Sequence, residues 1–479
     1  MTRFLTGLFP TLAFLLITSG AIAQTKLPER TIPLLYSNYC AACHGLDMRG
    51  GEFKGFIPEE WRSGSDDESL AKAMRDGSTN KLMPAMSASL SEAEIRAMVV
   101  FIRERVQQSK NETNTFAKPV DGAVVSSSEH KFRFKTVVGE GLTMPWSMAF
   151  LPDGRMLVTE LPGRLRVVEE GRLSPETIVG TPRVRAKGQG GLIEVALHPE
   201  FKDNGWVYLS YSDHGSNSVG ADVSMTAIAR GRIKGGQWTD EQTIFRAPIE
   251  TYVATAHHFG NRLVFDGSGH LFFSIGDRGQ MLDAQSVSLP NGKIHRIMDD
   301  GRIPEDNPFA KAPDAIKSVW SLGNRNAQGL AQHPVTGELW ETEHGPRGGD
   351  ELNLILPGRN YGWPVITHGM DYNGTPVTGG LTARDGMEQP VIHWTPSIAV
   401  CGIDFYTGDR FPKWRNNLFV TGLGSQELRR VVINGRSVTE QEIIFKNIGR
   451  VRDVVSGPDG FPYIALNKPD QIVRLEPVQ

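Results

Sequence analysis

Cysteine is nearly absent from this chain of 479 residues, which contains only Cys40, Cys43 and Cys401. Three cysteines cannot build a disulfide-rich scaffold, so the fold must depend on apolar packing. Two of them stand two residues apart and share a role considered below, which leaves Cys401 without a disulfide partner. We expect Cys401 to be a small buried side chain rather than a functional thiol.

A charge excess, a long internal apolar run and the common catalytic motifs are missing as well. The formal net charge is −3, so no nucleic-acid partner is indicated. No segment after residue 23 is apolar enough for a membrane span. The chain has no GxSxG elbow, P-loop, HExxH or GxGxxG after a strand, which are the usual signatures of hydrolases, nucleotide-binding proteins and zinc proteases.

The first residues have the pattern of an export signal. Arg3 precedes the apolar residues 4–17, and Ala21–Ala23 has the small-residue spacing cut by signal peptidase. The alternative is a membrane anchor, but the apolar run is short for one and contains a glycine and a proline. We therefore expect a signal peptide over 1–23, no stable membrane span, and a periplasmic or secreted mature protein.

One strong motif is present, Cys-Ala-Ala-Cys-His at residues 40–44. C-x-x-C-H is the spacing that attaches a c-type haem, with thioethers from Cys40 and Cys43 and with His44 as an axial iron ligand. The alternatives are a zinc pair, which would need further Cys or His nearby, and a redox disulfide. An export signal suits haem attachment outside the cytoplasm, so we predict haem c.

A methionine is expected as the sixth iron ligand, because His/Met ligation raises the haem potential as electron transfer requires. Met83 and Met86 follow the motif, and Met83 precedes Pro-Ala as in class I cytochromes c, which this segment resembles. The resemblance implies Met83 as the ligand, with Met86 and Met48 as packing residues. With both axial positions filled, the haem carries electrons and the chemistry lies elsewhere.

The sequence from residue 24 onwards divides into regions with different residue patterns. Residues 24–106 have helical spacing, clearest at Leu90–Val106, where Ser91 can cap a helix with an apolar stripe. Residues 107–131 are polar and aperiodic, which predicts a linker on which the first domain could swing or dock. We predict a small all-α cytochrome c domain over 24–106 and a second domain over 132–479.

The second domain is rich in short β-type runs around Pro, Asp and Gly turns. Six stretches resemble one another, each an apolar strand, a turn and a second apolar strand. They are Met148–Glu160, Val195–Tyr211, Leu263–Asp277, Leu330–Gly345, Ile403–Gly422 and Val454–Asn467. A β-sandwich also alternates strands and turns but predicts no six similar units, so we predict an all-β six-bladed propeller. Its loops at one end of the central channel would converge on a ligand.

Polar residues near the turns of this domain occur in unusual combinations. Arg450 and Arg452 are two residues apart, so both would face the same side of a strand and suit a carboxylated ligand. Taken singly, each arginine would also fit a solvated strand edge, and His258 would also fit a hydrogen-bonded turn. The remaining ones are Gln189, His257, His258, Arg325, Asn326 and the Gly345–Pro346 turn.

In order and spacing, these segments resemble the soluble quinoprotein glucose dehydrogenases, especially their aldose sugar dehydrogenase branch, over nearly all of residues 135–477. The resemblance implies a propeller that holds pyrroloquinoline quinone (PQQ) and calcium at the top of its channel. It implies His258 as the catalytic base. It also implies Arg325 and Asn326 beside the quinone, Gln189 as the active-site glutamine, and Arg450 and Arg452 near the quinone carboxylates. The Gly345 and Pro346 carbonyls would bind calcium. Glu351 and Tyr361 resemble ligands of a further, structural calcium.

The sequence departs from the family pattern at two places. Gly424 stands in LFVTGLG where a lysine commonly contacts the cofactor, and this removes one positive charge. Val400 and Cys401 stand where Pro-Ser is common, while Ser397 could still reach PQQ. Such changes fit a subfamily with an altered substrate.

Together these features predict a PQQ-dependent sugar dehydrogenase that oxidises the C1 hydroxyl of an aldose to the lactone. A neutral imidazole such as that of His258 suits the base, and calcium with Arg325 suits the negative charge that develops on the quinone. Electrons would leave through haem c to an external acceptor such as a cytochrome or a quinone. Two alternatives are a calcium-dependent propeller lactonase, which has no use for a haem, and a non-catalytic binding propeller with an electron-transfer cytochrome.

Overall fold

The computed structural model describes residues 30–57, 66–78, 82–113 and 119–478. The predicted signal peptide over 1–23 lies outside these ranges. Within them, no helix combines the length and the apolar character that a membrane crossing needs.

The N-terminal domain is all-α, as predicted, with helices α1 (Ile32–Tyr39), α2 (Ala41–His44), α3 (Asp67–Asp76) and α4 (Glu92–Thr113). The predicted cap of α4 is present: the Ser91 amide donates to the Glu94 carboxylate at 2.8 Å, and the Glu94 amide donates to Ser91 Oγ at 3.3 Å. Ile95, Met98 and Ile102 lie on one face of α4 and are buried in the core of the domain.

The segment 107–131 is more structured than the predicted linker. Helix α4 continues to Thr113, past the predicted end at Val106, because its Gln, Lys and Glu residues are good helix formers even without an apolar stripe. Strand β1 (Val124–Ser126) then pairs with strand β2 (Lys131–Val138). Helix α4 thus extends past residue 106, and the first strand of the β domain begins before residue 132, while the domain boundaries themselves stay a prediction.

The second domain contains six antiparallel sheets, five of four strands and one of five, which form the six blades of the predicted propeller. Blade 1 holds β3 (Pro145–Phe150), β4 (Met156–Glu160), β5 (Arg164–Glu169) and β6 (Arg172–Ile178); blade 2 holds β7 (Leu192–Leu197), β8 (Val207–Ser216), β9 (Asp222–Lys234) and β10 (Gln237–Arg246); blade 3 holds β11 (Leu263–Phe265), β12 (His270–Ile275), β13 (Lys293–Met298) and β14 (Val319–Leu322).

The other three blades follow the same order along the chain. Blade 4 holds β15 (Ala327–Gln332), β16 (Leu339–Glu343), β17 (Asp350–Ile355) and β18 (Ile392–Trp394); blade 5 holds β19 (Val400–Phe405), β20 (Leu418–Gly422), β21 (Glu427–Asn434) and β22 (Ser437–Lys446); blade 6 holds β23 (Arg450–Ser456), β24 (Pro462–Asn467), β25 (Gln471–Pro477), β2 and β1. A short helix, α5 (Phe201–Asn204), follows β7.

The ring is closed by pairing the two ends of the domain. Strand β2, from the start of the propeller, lies beside the last strand, β25, with Phe134 opposite Leu475. The six similar stretches of the sequence correspond to the first two strands of each blade, and the first strands adjoin one another around the axis. Apolar side chains such as Trp414 and Leu475 fill the space between blades 5 and 6.

Candidate functional site

The predicted site residues of the propeller occupy equivalent positions in successive blades. Gln189 precedes β7, His258 precedes β11, Arg325 precedes β15, Ser397 precedes β19, and Arg450 begins β23. The first strands of all blades run in the same direction along the axis, so these residues lie at the same end of the channel. The fold thereby brings together residues that are up to half the chain apart.

His258 is held at this end by contacts on two sides. Its Nδ1 lies 2.7 Å from Asp277 Oδ1, and its backbone amide donates to Gln189 Oε1 at 2.8 Å. Its φ of +56° is in the left-handed region, which a non-glycine residue adopts only when its surroundings enforce it. Within the described residues its Nε2 has no hydrogen-bond partner, so that atom is available as an acceptor when Nδ1 carries the proton.

Asp277 orients the imidazole and is itself fixed by three donors. Besides His258, the indole Nε1 of Trp363 donates to Oδ2 at 2.7 Å and the Gly279 amide donates to Oδ1 at 2.7 Å. The backbone amide of Asp277 donates to the carbonyl of Arg325 at 2.7 Å. This buried carboxylate therefore ties blade 3 to blade 4 directly beneath His258.

Burial and the positive charge of Arg325 set the protonation states of His258 and Asp277. Burial lowers the pKa of His258 to about 4, and Arg325 lowers it further while Asp277 acts in the opposite direction. Burial alone would raise the pKa of Asp277, but the hydrogen bond from His258 and the charge of Arg325 hold it below its usual value. At neutral pH His258 is thus an uncharged imidazole with a proton on Nδ1 and a lone pair on Nε2.

Arg325 lies beside this pair and contacts the Gly345–Pro346 turn. Its guanidinium donates to the carbonyls of His344 at 3.1 Å and Gly345 at 3.0 Å and lies 5.1 Å from the Trp363 ring. The neighbouring Asn326 is buried, and its side-chain oxygen accepts a hydrogen bond from the Gly260 amide at 3.2 Å.

The Gly345–Pro346 turn is anchored by Asp350, a buried residue that the sequence reasoning missed. The carboxylate of Asp350 accepts hydrogen bonds from the Gly345 amide at 3.0 Å and from the Ser397 hydroxyl at 2.8 Å. Burial raises its pKa to about 6. The Ser397 hydroxyl thus holds the turn through Asp350, and its contact with PQQ stays a prediction.

The two arginines at the start of β23 differ in their contacts. Arg452 donates from Nε to Asn467 Oδ1 at 3.1 Å, and its Nη1 lies 3.4 Å from the sulfur of the fully buried Cys401. Arg450 is half-buried, and its guanidinium makes no hydrogen bond or ion pair with any described residue, although its backbone pairs with β24 opposite Asn467. Burial and the charge of Arg452 lower its pKa. An unpaired, partly desolvated guanidinium at this place fits a ligand with carboxylate groups.

Gly424 follows β20 and lies against Ala399, with the position of its missing Cβ 3.2 Å from the Ala399 Cβ. The lysine that the family commonly has here is therefore replaced by a residue packed closely against the loop before β19. The positive charge at this end of the channel comes from arginines instead.

Glu351 and Tyr361, the predicted ligands of a structural calcium, lie in different surroundings. Glu351 belongs to a buried acidic group with Glu341 and Glu343, joined through Asn353, and burial raises its pKa to about 7. The Tyr361 hydroxyl donates to the Leu354 carbonyl at 2.5 Å and is thus engaged. Within the described ranges, no three His, Cys, Asp or Glu residues have metal-binding geometry, so calcium here stays a prediction.

In the haem motif, the contacts of His44 suit an axial iron ligand. His44 ends α2, its Nδ1 lies 3.0 Å from the Lys54 carbonyl, and its ring stacks on Phe56 at 4.5 Å. Donation from Nδ1 leaves Nε2 free to bind iron. Cys40 and Met83 pack at the edge of the same apolar core, and these residues fit a haem.

The other cysteine and methionines of this region fit the same assignment. Cys43 lies one turn further on in α2. Met48 is 2% exposed and Met86 packs against the core, as expected for packing residues.

Asp277 and Trp363, like Asp350, are residues of the candidate site that the sequence reasoning did not single out. Asp277 closes the third of the six similar stretches, Leu263–Asp277, at the end that carries the other site residues. Its position at the end of that repeat could have identified it as a candidate site residue from the sequence. Trp363 lies in the long segment after β17, where no periodic pattern exists to locate it.

Fold and site together define a six-bladed propeller with a buried His–Asp pair at its channel mouth and a cytochrome c domain at its N-terminus. Comparison with known proteins agrees: residues 142–474 match the family model "Glucose / Sorbosone dehydrogenase". Residues 29–102 match the model "Cytochrome C oxidase, cbb3-type, subunit III". The chain belongs to the glucose/sorbosone dehydrogenase family and carries an N-terminal cytochrome c domain.

Individual relatives cover most of the propeller. The aldose sugar dehydrogenase YliI of Escherichia coli is 41% identical over 349 residues, which are 71% of this chain and 92% of that protein. The crystal structure of the soluble aldose sugar dehydrogenase from E. coli in the apo-form covers 72% of this chain and 100% of its own, at 38% identity and a TM-score of 0.67. The PQQ-bound form of aldose sugar dehydrogenase from Streptomyces coelicolor covers 76% and 100%, at 27% identity and a TM-score of 0.59.

Proposed function

We propose that this member of the family is a PQQ-dependent dehydrogenase that oxidises the C1 hydroxyl of an aldose or related sugar to the lactone. The observation that carries the proposal is the His258–Asp277 pair, in which His258 Nε2 has no partner among the described residues and Arg325 lies close enough to lower the pKa of His258. The relatives named as aldose sugar dehydrogenases and the PQQ-bound neighbour support it.

His258 supplies the base of this reaction. Its Nε2 takes the proton of the C1 hydroxyl, while Asp277 stabilises the imidazolium that forms and keeps the ring in one orientation. The low pKa of His258 keeps the base uncharged before each turnover. PQQ, when bound, supplies an electrophilic carbon that accepts the hydride from C1.

The remaining residues of the site hold the cofactor and its charge. Arg450 and Arg452 suit the carboxylates of PQQ, with Gln189 and Asn326 nearby, and the carbonyls of Gly345 and Pro346 suit calcium. Arg325 places a positive charge beside the same turn, where negative charge develops during hydride transfer. Calcium and PQQ would thus share one end of the channel.

The cytochrome domain gives the electrons an exit. We propose that Cys40, Cys43, His44 and Met83 hold a haem c that passes electrons to an external acceptor such as a cytochrome or a quinone. The apolar residues 4–17 and the site at Ala21–Ala23 support export, so we place the protein in the periplasm.

Native mass spectrometry of the purified protein, loaded with PQQ and calcium, tests the reaction class. We expect one PQQ per chain and sugar oxidation with an artificial dye as acceptor, which a His258→Ala variant loses while it still binds PQQ. Lactone hydrolysis without PQQ would instead identify a propeller hydrolase, and binding without turnover of any sugar would identify a binding propeller.

A further inference from the structure

Residues 345–382, here called the rim segment, lie between the propeller site and the cytochrome domain. The rim segment begins at the Gly345–Pro346 turn, contains β17 and continues through most of the connection from β17 to β18. That connection is the longest between two consecutive strands of a blade. Its two arms are tied by a pair of hydrogen bonds between Arg347 and Met370, at 2.9 and 3.0 Å. It touches the His258 site on one side and helix α4 on the other.

On the cytochrome side, the rim segment inserts an apolar residue into the other domain. Met370 is fully buried and belongs to the core that also contains Ile32, Ala97 and Val100 of the cytochrome. It is the propeller residue that completes this core. Separation of the two domains would therefore expose Met370 and the part of the cytochrome core that it covers to water.

Polar contacts surround this apolar anchor. Arg347 forms a bidentate ion pair with Glu104 of α4, with Nη2–Oε2 at 2.5 Å and Nε–Oε1 at 3.3 Å. Arg96 donates to the Thr382 hydroxyl at 3.0 Å, and the Ile32 amide donates to the carbonyl of Gly374 at 2.8 Å. The interface thus has an apolar centre with hydrogen bonds at its margin.

Helix α4 approaches the backbone of the rim segment closely at two glycines. A Cβ at Gly380 would lie 2.3 Å from the Ala93 Cβ, and one at Gly348 would lie 3.0 Å from Val100 Cγ1. A side chain at Gly380 would require α4 to move, and one at Gly348 would press on the Val100 side chain. The two glycines of the rim segment therefore permit the close approach of α4, while other residues of the segment contact the site.

On the propeller side, the same segment supplies the residues that frame the reactive pair. Trp363 donates to Asp277, and the hydroxyl of Tyr372 lies 3.5 Å from Arg325 Nη2. The carbonyl of Gly345 accepts a hydrogen bond from Arg325. Any shift of the rim segment would move these three contacts together.

We propose that the cytochrome domain is a structural part of the dehydrogenase site, because its docking clamps the rim segment and so positions Trp363, Tyr372 and the Gly345 turn. Glu104 and Met370 are positioning residues in this scheme. The clamp itself is independent of the cofactor, while its effect on PQQ binding rests on the proposed function. The domain thus affects sugar oxidation before any electron reaches the haem.

Substitutions on α4 test the clamp without altering the propeller. In Glu104→Arg, two guanidinium groups would face each other, and in Ala93→Trp a bulky ring would press on Gly380. Hydrogen exchange of the 345–382 peptides, read by mass spectrometry, should become about tenfold faster in both variants. The dissociation constant of the apo-protein for PQQ should rise by about the same factor.

Three controls make the result specific. Glu92→Gln removes an ion pair with Arg75 that lies within the cytochrome, 2.6 Å long, and should leave both readouts at wild-type values. The double variant Glu104→Arg/Arg347→Glu should restore slow exchange. An unchanged haem absorption spectrum shows that the cytochrome has folded.

Wild-type exchange of residues 345–382 in both α4 variants would overturn the proposal. So would faster exchange with unchanged affinity for PQQ, because the rim segment would then not affect the site. If wild-type protein binds no PQQ at all, the proposed function fails, while the exchange comparison still decides whether the clamp exists.

Discussion

At the scale of single residues, the site is built around one histidine with an unusual backbone. His258 has a φ of +56° and is fixed by Gln189 at its amide and by Asp277 at its ring. A left-handed backbone costs a residue with a Cβ atom of the order of 1–3 kcal/mol, which the surrounding contacts must offset. The arrangement favours the imidazole tautomer with its proton on Nδ1 and leaves Nε2 without a partner among the described residues.

Replacing Asp277 by asparagine should lower kcat roughly 10²-fold or more with little change in KM, because the imidazolium that forms in the transition state loses its partner. The fall of the wild-type rate at acid pH should be centred near the pKa of His258, about 4, since only the neutral form accepts a proton. Steady-state kinetics with a dye acceptor across pH 3 to 8 measure both effects.

The chain contains a matched control for this substitution. His270 and Asp266 form a second His–Asp pair, also 2.7 Å apart, at the turn between β11 and β12. Asp266→Asn should leave kcat within about twofold of wild type, as for a surface substitution away from the site. An equal loss of kcat in both variants would contradict a specific role of Asp277.

Arg450 is expected to bind the cofactor rather than stabilise the fold. Arg450→Gln removes a guanidinium without a protein partner, so the dissociation constant for PQQ should rise about 10- to 100-fold, as for a lost charge-assisted hydrogen bond. The melting temperature should not fall, because Arg452 repels Arg450. Fluorescence titration of apo-protein with PQQ and calorimetry test this, with the exposed Arg436→Gln as control.

Sequence reasoning at this scale finds residues in recognisable motifs and misses those that act through them. His258, Arg325 and Arg450 are polar residues in ordered motifs, so they could be named without a structure. Asp277 and Asp350 became visible only when the chain was folded, because each acts by accepting hydrogen bonds from residues far along the chain. A buried carboxylate has no local sequence signature of its own.

At the scale of elements, ring closure is the feature on which the propeller most depends. Strand β25 lies between β2 and β24, and Leu475 is fully buried between blades 5 and 6. Leu475→Ala should lower the free energy of unfolding by about 2–5 kcal/mol, the range for large cavities in a core. Urea unfolding followed by tryptophan fluorescence measures this, and a change below about 0.5 kcal/mol would contradict the assigned closure.

A buried histidine in blade 3 makes stability depend on pH. His295 lies 2.9 Å from the Pro290 carbonyl through Nε2, and burial lowers its pKa to about 3. Between pH 6.5 and 3, the unfolded chain binds a proton that the native state does not, so stability is fully present above pH 6.5 and falls below it. The slope is up to about 1.4 kcal/mol per pH unit.

His295→Gln removes this titration and should make the free energy of unfolding decrease less steeply between pH 6.5 and 4. Urea unfolding at several pH values for both proteins gives the two slopes. The variant should be less stable at pH 7, because it loses the ring contact with Phe273. Identical slopes would show that His295 is not the titrating group.

The elements could be predicted from the sequence where a pattern repeats. Six pairs of strands around similar turns predicted the number of blades, while the outer strands, such as β6 and β22, have few apolar residues and gave no pattern. The end of α4 was placed too early because its last residues are polar on every side. Periodicity depends on an apolar stripe, so it cannot find a helix end that is built from polar residues.

At the scale of the whole molecule, the cytochrome is docked rather than free on a linker. Helix α4, Met370 and the Glu104–Arg347 pair join the two domains beside the site. The sequence could not show this, because the contacts join residues that are hundreds of positions apart and belong to two separate patterns. Docking brings the candidate site of the propeller and the cytochrome c domain into one folded unit.

The most direct test of the account is the absorption spectrum of the haem during turnover. Oxidised protein is loaded with PQQ and calcium and mixed with an aldose, and the reduced-haem bands should appear in wild type and be lost in His258→Ala. Absence of these bands across a broad panel of sugars, alcohols and aldehydes, with PQQ bound, would contradict the assignment as a dehydrogenase whose electrons leave through its own cytochrome.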